Sequence, residues 1–157
     1  MPPLPVNREI AFTIMDVARM LKTYADQRAR GLGISRAQWA VLVRIERSEG
    51  LKQSELAEML DLQPISLTRL LDRLADNGLI ERRHDPHDRR ANRLYLLPAA
   101  KPLLEKLAAL GQDMMGTVLE GLDDKASGRL LRDLALLKYN LRAAINRNGA
   151  QPEAANG

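Results

Sequence analysis

The chain has 157 residues, 45% of them hydrophobic, which is material for one domain or slightly more with a core of its own. Its 24 lysines and arginines exceed the 20 aspartates and glutamates, and the net charge of +4 favours an anionic partner without defining one. The absence of cysteine excludes disulfides, thiolate zinc sites and thiol redox switching. Met1-Pro2-Pro3-Leu4-Pro5 lacks the basic and apolar regions of a secretion signal, and no run approaches the ~18 apolar residues of a membrane span, so a soluble, cytoplasmic protein with no membrane association is expected.

Residues 8–29 place Ile10, Ile14, Val17, Ala18, Leu21, Tyr24 and Ala25 at three- and four-residue spacings, predicting an amphipathic helix. Phe12, Met15 and Met20 lie off that stripe. The apolar surface is therefore wider than one packing face needs, and a second chain is expected against it. After Arg30-Gly31-Leu32-Gly33, Ser35 and Gln38 stand in the relation of a capping box, with Ile34 and Trp39 as its hydrophobic staple. The helix they start runs from Arg36 to about Arg47 and is broken by Ser48-Glu49-Gly50. A short helix follows, Gln53 to Leu60, behind the poor cap Lys52.

Gln63-Pro64 opens the next helix, because proline at the first helical position forfeits no hydrogen bond. Leu67, Leu70, Leu71 and Leu74 mark its buried face. The opposite face carries Ile65, Arg69, Asp72 and Asp76, flanked by Ser66, Thr68 and Arg73. Gly78 suits a left-handed closure across which Leu79 reaches Leu74.

Residues 79–97 read as two short strands joined by a basic tip, with Ile80 and Arg82 alternating on one and Leu94 and Leu96 alternating with Arg93 and Tyr95 on the other. The whole stretch His84 to Arg90 is expected to project, since it holds Asp85, Asp88, Arg89, Arg90, two histidines and a proline. Two leucine-rich helices, about 100–119 and 125–147, follow on either side of Gly121-Leu122-Asp123-Asp124, and the tail is expected to be disordered. A helical stretch with a polar outer face followed by a basic hairpin is a winged helix-turn-helix, which points to DNA.

Three motifs in this order and spacing, the helices Ser54-Glu55-Leu56-Ala57-Glu58-Met59-Leu60 and Gln63-Pro64-Ile65-Ser66-Leu67-Thr68-Arg69-Leu70-Leu71-Asp72-Arg73-Leu74 and the wing tip Asp88-Arg89-Arg90-Ala91, make the chain resemble the MarR family of transcription regulators, in pattern its SlyA-like members. The resemblance covers nearly the whole chain. It implies a mainly α fold with a small two- to three-stranded β wing, the winged helix-turn-helix DNA-binding domain at 35–97. Dimerisation helices at 1–34 and 98–148 would flank it, and 149–157 would be a disordered tail. It further implies a homodimer on a palindromic operator in double-stranded DNA, acting as a repressor released by a small effector, aromatic or aryl-CoA-like. Lys52 in place of a capping hydroxyl and Leu97-Pro98 in place of Leu-Thr depart from the pattern, both at helix starts.

A major groove about 12 Å wide admits one helix, so the face opened by Gln63 and Pro64 and led by Ile65, Ser66, Thr68 and Arg69 can reach base edges and phosphates. Ser66 and Thr68 suit phosphate or base hydrogen bonds, Arg69 a guanine edge or a phosphate, Ile65 a thymine methyl, and Arg73 the backbone. At the wing, the resemblance assigns minor-groove insertion to Arg90, with Asp88 orienting it and Arg89 assisting; an isolated Asp-Arg-Arg would otherwise be a solvated turn. His84 and His87 make a poor zinc site without cysteine or clustered carboxylates, so no metal is expected. For an effector in the crevice that dimers of this fold possess, Met20, Tyr24 and Trp39 are candidate walls and Arg19, Arg28 and Arg44 candidate cations, although the staple already accounts for Trp39. No cofactor motif, Gly-rich phosphate loop, HExxH or carboxylate pair is present, so the chain is not expected to be an enzyme. The alternatives are a winged-helix protein-interaction module, which would bind little DNA, and a non-specific nucleic-acid-binding module without ligand response.

Overall fold

The structure, a computed structural model, describes residues 5–149. In chain order it contains α1 (Val6–Ala29), a 3-10 turn (Arg30–Leu32), α2 (Arg36–Arg47), α3 (Gln53–Leu60), α4 (Pro64–Asp76), β1 (Ile80–His84), β2 (Asn92–Leu96), α5 (Ala100–Val118) and α6 (Asp124–Gly149). The chain divides into two compact units, Met1–Met114 and Met115–Gly157, with the boundary inside α5.

The core of the first unit is aliphatic. Val41, Leu42 and Ile45 of α2, Leu56 of α3, Leu67, Leu71 and Leu74 of α4, Ile80 of β1, Leu94 of β2 and Leu107 of α5 are all sealed from solvent. Their three- and four-residue spacing on the helices turns one face of each inward, and a buried leucine of this kind stabilises the fold by about 1.5–3 kcal/mol. No aromatic side chain is among these buried residues; Trp39 only packs against the edge of the cluster.

Helix starts and stops follow the local chemistry. Ser35 Oγ accepts from the Gln38 N–H at 3.1 Å while Gln38 Oε1 accepts from the Ser35 N–H at 3.0 Å, which closes the capping box of α2. Only the reciprocal half forms at α3. The Glu55 carboxylate accepts from the Lys52 N–H at 2.9 Å, and the lysine side chain has no acceptor to return. At the end of α4 the Leu79 N–H donates to Leu74 O and the Gly78 N–H to Ala75 O, a Schellman closure with Gly78 at φ +71°.

Strands β1 and β2 form a two-stranded antiparallel sheet pairing Ile80 with Leu96, Arg82 with Leu94 and His84 with Asn92. An isolated antiparallel bridge, Lys52 with Arg93, adds a second, single-residue pairing on the other side of β2. Ile80, Arg82, Leu94 and Leu96 therefore share one face, which meets the helices, and Glu81, Arg83, Arg93 and Tyr95 share the other. On that outer face the Arg83 guanidinium lies 4.0 Å from the centre of the Tyr95 ring and pairs with Glu81, which above all raises its pKa.

In the second unit α6 continues through Asn148 to Gly149, into the stretch expected to be disordered, because its backbone ladder extends to that point; residues 150–157 lie outside the described ones. Among the described residues no helix is long and apolar enough to cross a membrane.

Candidate nucleic-acid interface

Helix α4 sets its apolar leucines inward and leaves Ile65, Ser66, Arg69 and Arg73 exposed, as the periodicity predicts. Ile65 is 64% exposed, so it has no role in the core. Neither Arg69 nor Arg73 has a side-chain hydrogen bond or ion pair among the described residues. Gln63 caps the helix without a side-chain bond and Pro64 occupies its first turn, both exposed.

Thr68 differs from the expectation for it. Its hydroxyl donates to Pro64 O at 2.9 Å and accepts from Gln53 Nε2 at 3.1 Å, so it ties α3 to α4 and is already engaged inside the protein. The sequence reading missed Arg82, whose Nη2 donates to Asp72 Oδ1 at 2.7 Å and to Thr68 O at 3.3 Å. That guanidinium fastens β1 to α4. The inward parity of position 82 was legible; its partner on α4 was not.

The wing tip corrects a second expectation. His84, His87, Asp88, Arg89 and Arg90 are exposed, but Asp85 does not project: it is 3% exposed. Its Oδ2 accepts from Arg93 Nε at 2.7 Å and its Oδ1 from the His87 N–H at 2.8 Å. Arg93 Nη1 donates in turn to Gly50 O at 2.8 Å, in the turn between α2 and α3. A carboxylate can be buried because a guanidinium and a backbone donor replace its water. The His87 N–H first, and then Arg93, hold the Asp85 carboxyl below its ordinary value against the opposing effect of burial.

The bond between Asp88 and Arg90 runs through the main chain: Asp88 Oδ1 accepts the Arg90 N–H at 3.0 Å. The guanidinium groups of Arg89 and Arg90 have no partner among the described residues. A cleft of about 680 Å³ separates this tip from α3 and the start of α4, lined by Gln53, Gln63, Pro64, Asp88, Arg90 and Asn92 among others.

Of the six effector candidates, two come together. Arg28 Nη1 donates to the Tyr24 hydroxyl at 3.1 Å and Arg28 Nη2 to Asp113 Oδ2 of α5 at 2.6 Å. The bond to Asp113, and then that to Tyr24, raise the pKa of Arg28 and keep it cationic. Trp39 packs on α5 at Gly111, where an added Cβ would lie 3.6 Å from its ring, consistent with a structural role. Arg19 pairs with Asp16 at 3.4 Å on the surface, and Met20 and Arg44 are exposed. Neither the wing cleft nor a second one of about 320 Å³ beside α5 is lined by any of the six. Among the described residues no group of three or more His, Asp or Glu is placed to hold a metal.

A polar-faced helix behind a shorter helix, beside a two-stranded hairpin with an arginine tip, defines a winged helix-turn-helix protein. Residues 34–91 match the family model of the MarR family. The family is one of transcription regulators and not of enzymes. Among solved structures, a MarR transcriptional regulator from Methanosarcina mazei Go1 is similar with a TM-score of 0.79 at 23% identity, covering 87% of this chain and 99% of that one. The apo form of wild-type MarR from E. coli is 26% identical with a TM-score of 0.66, covering 91% of this chain and 98% of that one. MepR of S. aureus, solved in complex with DNA, is 22% identical with a TM-score of 0.66, covering 83% of this chain and 95% of that one.

Proposed function

We propose that the chain is a sequence-specific, double-stranded DNA-binding transcription regulator of the cytoplasm, a homodimeric repressor released from a palindromic operator by a small aromatic or aryl-CoA-like ligand. One observation carries the DNA reading. Ile65, Ser66, Arg69 and Arg73 of α4 and the tip arginines of the wing are left without internal partners on one unit, while Thr68, Asp72, Arg82, Asp85 and Arg93 beside them are bonded within the protein. Ile65, Ser66 and Arg69 then face the major groove and Arg90, aided by Arg89, enters the adjacent minor groove, with the phosphate strand between the grooves crossing the cleft that separates the two. Thr68 acts here as a brace for the helix rather than as a DNA donor, and Arg73 meets the backbone.

The dimer reading rests on apolar surface left exposed on α1 and, in the other unit, on α6: Phe12, Met15, Met20, Leu131, Leu134 and Leu141 are each between 44% and 69% exposed. The effector reading rests on the Tyr24–Arg28 pair, an aromatic ring and a cation held together, and release needs a coupling of only about 1–3 kcal/mol between ligand and DNA. Fluorescence anisotropy against DNA from upstream of the chain's own gene and a scrambled duplex, over a salt series, tests the reading. Palindrome-dependent binding, tighter by a factor of ~10³ or more, supports it, and equal weak binding to both duplexes overturns it.

A further inference from the structure

Asp85 is the buried charged side chain of the described residues, and its placement is hard to explain by stability alone. A carboxylate in a sealed site needs both a counter-charge and hydrogen bonds, and apolar or neutral replacements at such sites are often no less stable. What this pair does instead is connect. Gly50 O accepts from Arg93 Nη1, Arg93 Nε donates to Asp85, and Asp85 receives the His87 N–H. The Asp85 N–H also donates to Ala91 O at 2.9 Å, the Ala91 N–H to Asp88 O at 3.0 Å, and Asp88 Oδ1 takes the Arg90 N–H. An unbroken run of hydrogen bonds thus leads from the turn between α2 and α3 to the backbone of Arg90. Its anchor is itself braced, since the Gly50 N–H donates to Leu94 O at 2.8 Å and its φ of +81° suits glycine.

We propose that Asp85, acting through Arg93, is a positioning residue that sets the direction in which the wing tip presents Arg90 to the minor groove, an inference that rests on the DNA-binding reading above. The pair aims a side chain that neither of them touches. Asp85→Asn removes the charge and leaves the shape of the turn, and Arg93→Gln keeps a donor for Gly50 O without the ion pair.

The test is a set of double-mutant cycles on operator binding by the full-length protein. Each variant is made alone, with Arg90→Ala, and with Arg69→Ala. Asp85→Asn alone is expected to weaken binding roughly tenfold, to add almost nothing in the Arg90→Ala background, and to keep its tenfold effect in the Arg69→Ala background. Arg93→Gln is expected to show the same pattern, and decides the matter if Asp85→Asn does not fold. A loss that is equal in all three backgrounds would mean a general weakening of the protein and would overturn the proposal while leaving the DNA reading intact. Failure of both variants to fold, judged by circular dichroism, would overturn it too, since the pair would then serve the fold and not the aim. A wild-type chain without palindrome preference would overturn the DNA reading itself and this inference with it.

Discussion

At the scale of single residues, the exposed cations of α4 and the wing carry different messages. Arg69→Ala and Arg90→Ala are each expected to weaken operator binding by about 1–3 kcal/mol with the oligomer unchanged. Arg69→Ala should relax preference at one base pair, and Arg90→Ala should blunt preference for A·T in the flanking segment; competition with single-base operator variants distinguishes them. Asp85 contributes a separate signature in acid. Its folded-state pKa lies below its ordinary value, so its carboxylate stabilises the fold above the unfolded-state pKa, and that stabilisation is lost as the pH falls through the depressed folded value. The gap in urea stability between wild type and Asp85→Asn should be constant from neutral pH down to the carboxylate range and shrink below it; a gap that widens in acid would contradict the assignment. Ile65 was legible in the sequence because the leucines of its own helix leave it on the wrong side of the core. Asp85 was not, because composition marks the whole tip as polar, and only the hairpin register that pairs His84 with Asn92 brings Arg93 back beside it. A strand-edge arginine one step behind a turn aspartate was the available clue.

At the scale of elements, boundaries were readable wherever the signal is local. The capping box of α2, the proline that opens α4 and the glycine that closes it all act within four residues, and each forms where its sequence places it. Gly78→Ala is expected to cost about 1–2 kcal/mol in chemical denaturation, purely from the left-handed backbone, because an added Cβ there meets nothing within 4 Å. Ser35→Ala should cost ~1 kcal/mol through loss of the cap. The start of α3 is the reverse case. Lys52 offers no acceptor, and Glu55 alone secures that turn, so Lys52→Ser should raise stability by a few tenths to about 1 kcal/mol with Glu55 retained. What local sequence could not show was how elements fasten to one another. The Arg82 bond to Asp72 and the Gln53 bond to Thr68 join residues ten and fifteen positions apart, a fact of tertiary packing that no single helix or strand encodes.

At the scale of the whole molecule, α1 exposes Ile10, Phe12, Ile14, Met15, Val17 and Met20, a surface wider than its own stripe, and α6, in the other unit, exposes a run of leucines that includes Leu131, Leu134 and Leu141. Removal of residues 1–29 is expected to convert a dimer into a monomer or an aggregate, read by light scattering after size exclusion; a well-behaved dimer of full DNA affinity would contradict the assignment of α1 to the interface. The tie of Arg82 to the recognition helix has its own consequence at this scale. It joins helix and wing like the jaws of a set caliper, so in the proposed complex their opening is held by the protein. One base pair inserted between the two contacts would displace them by ~3.4 Å and about a tenth of a turn, and is expected to weaken binding in an anisotropy comparison of the two duplexes. The proposed half-site is therefore inelastic, and for the proposed homodimer the slack of a palindromic operator is expected at its centre of symmetry, between the two copies.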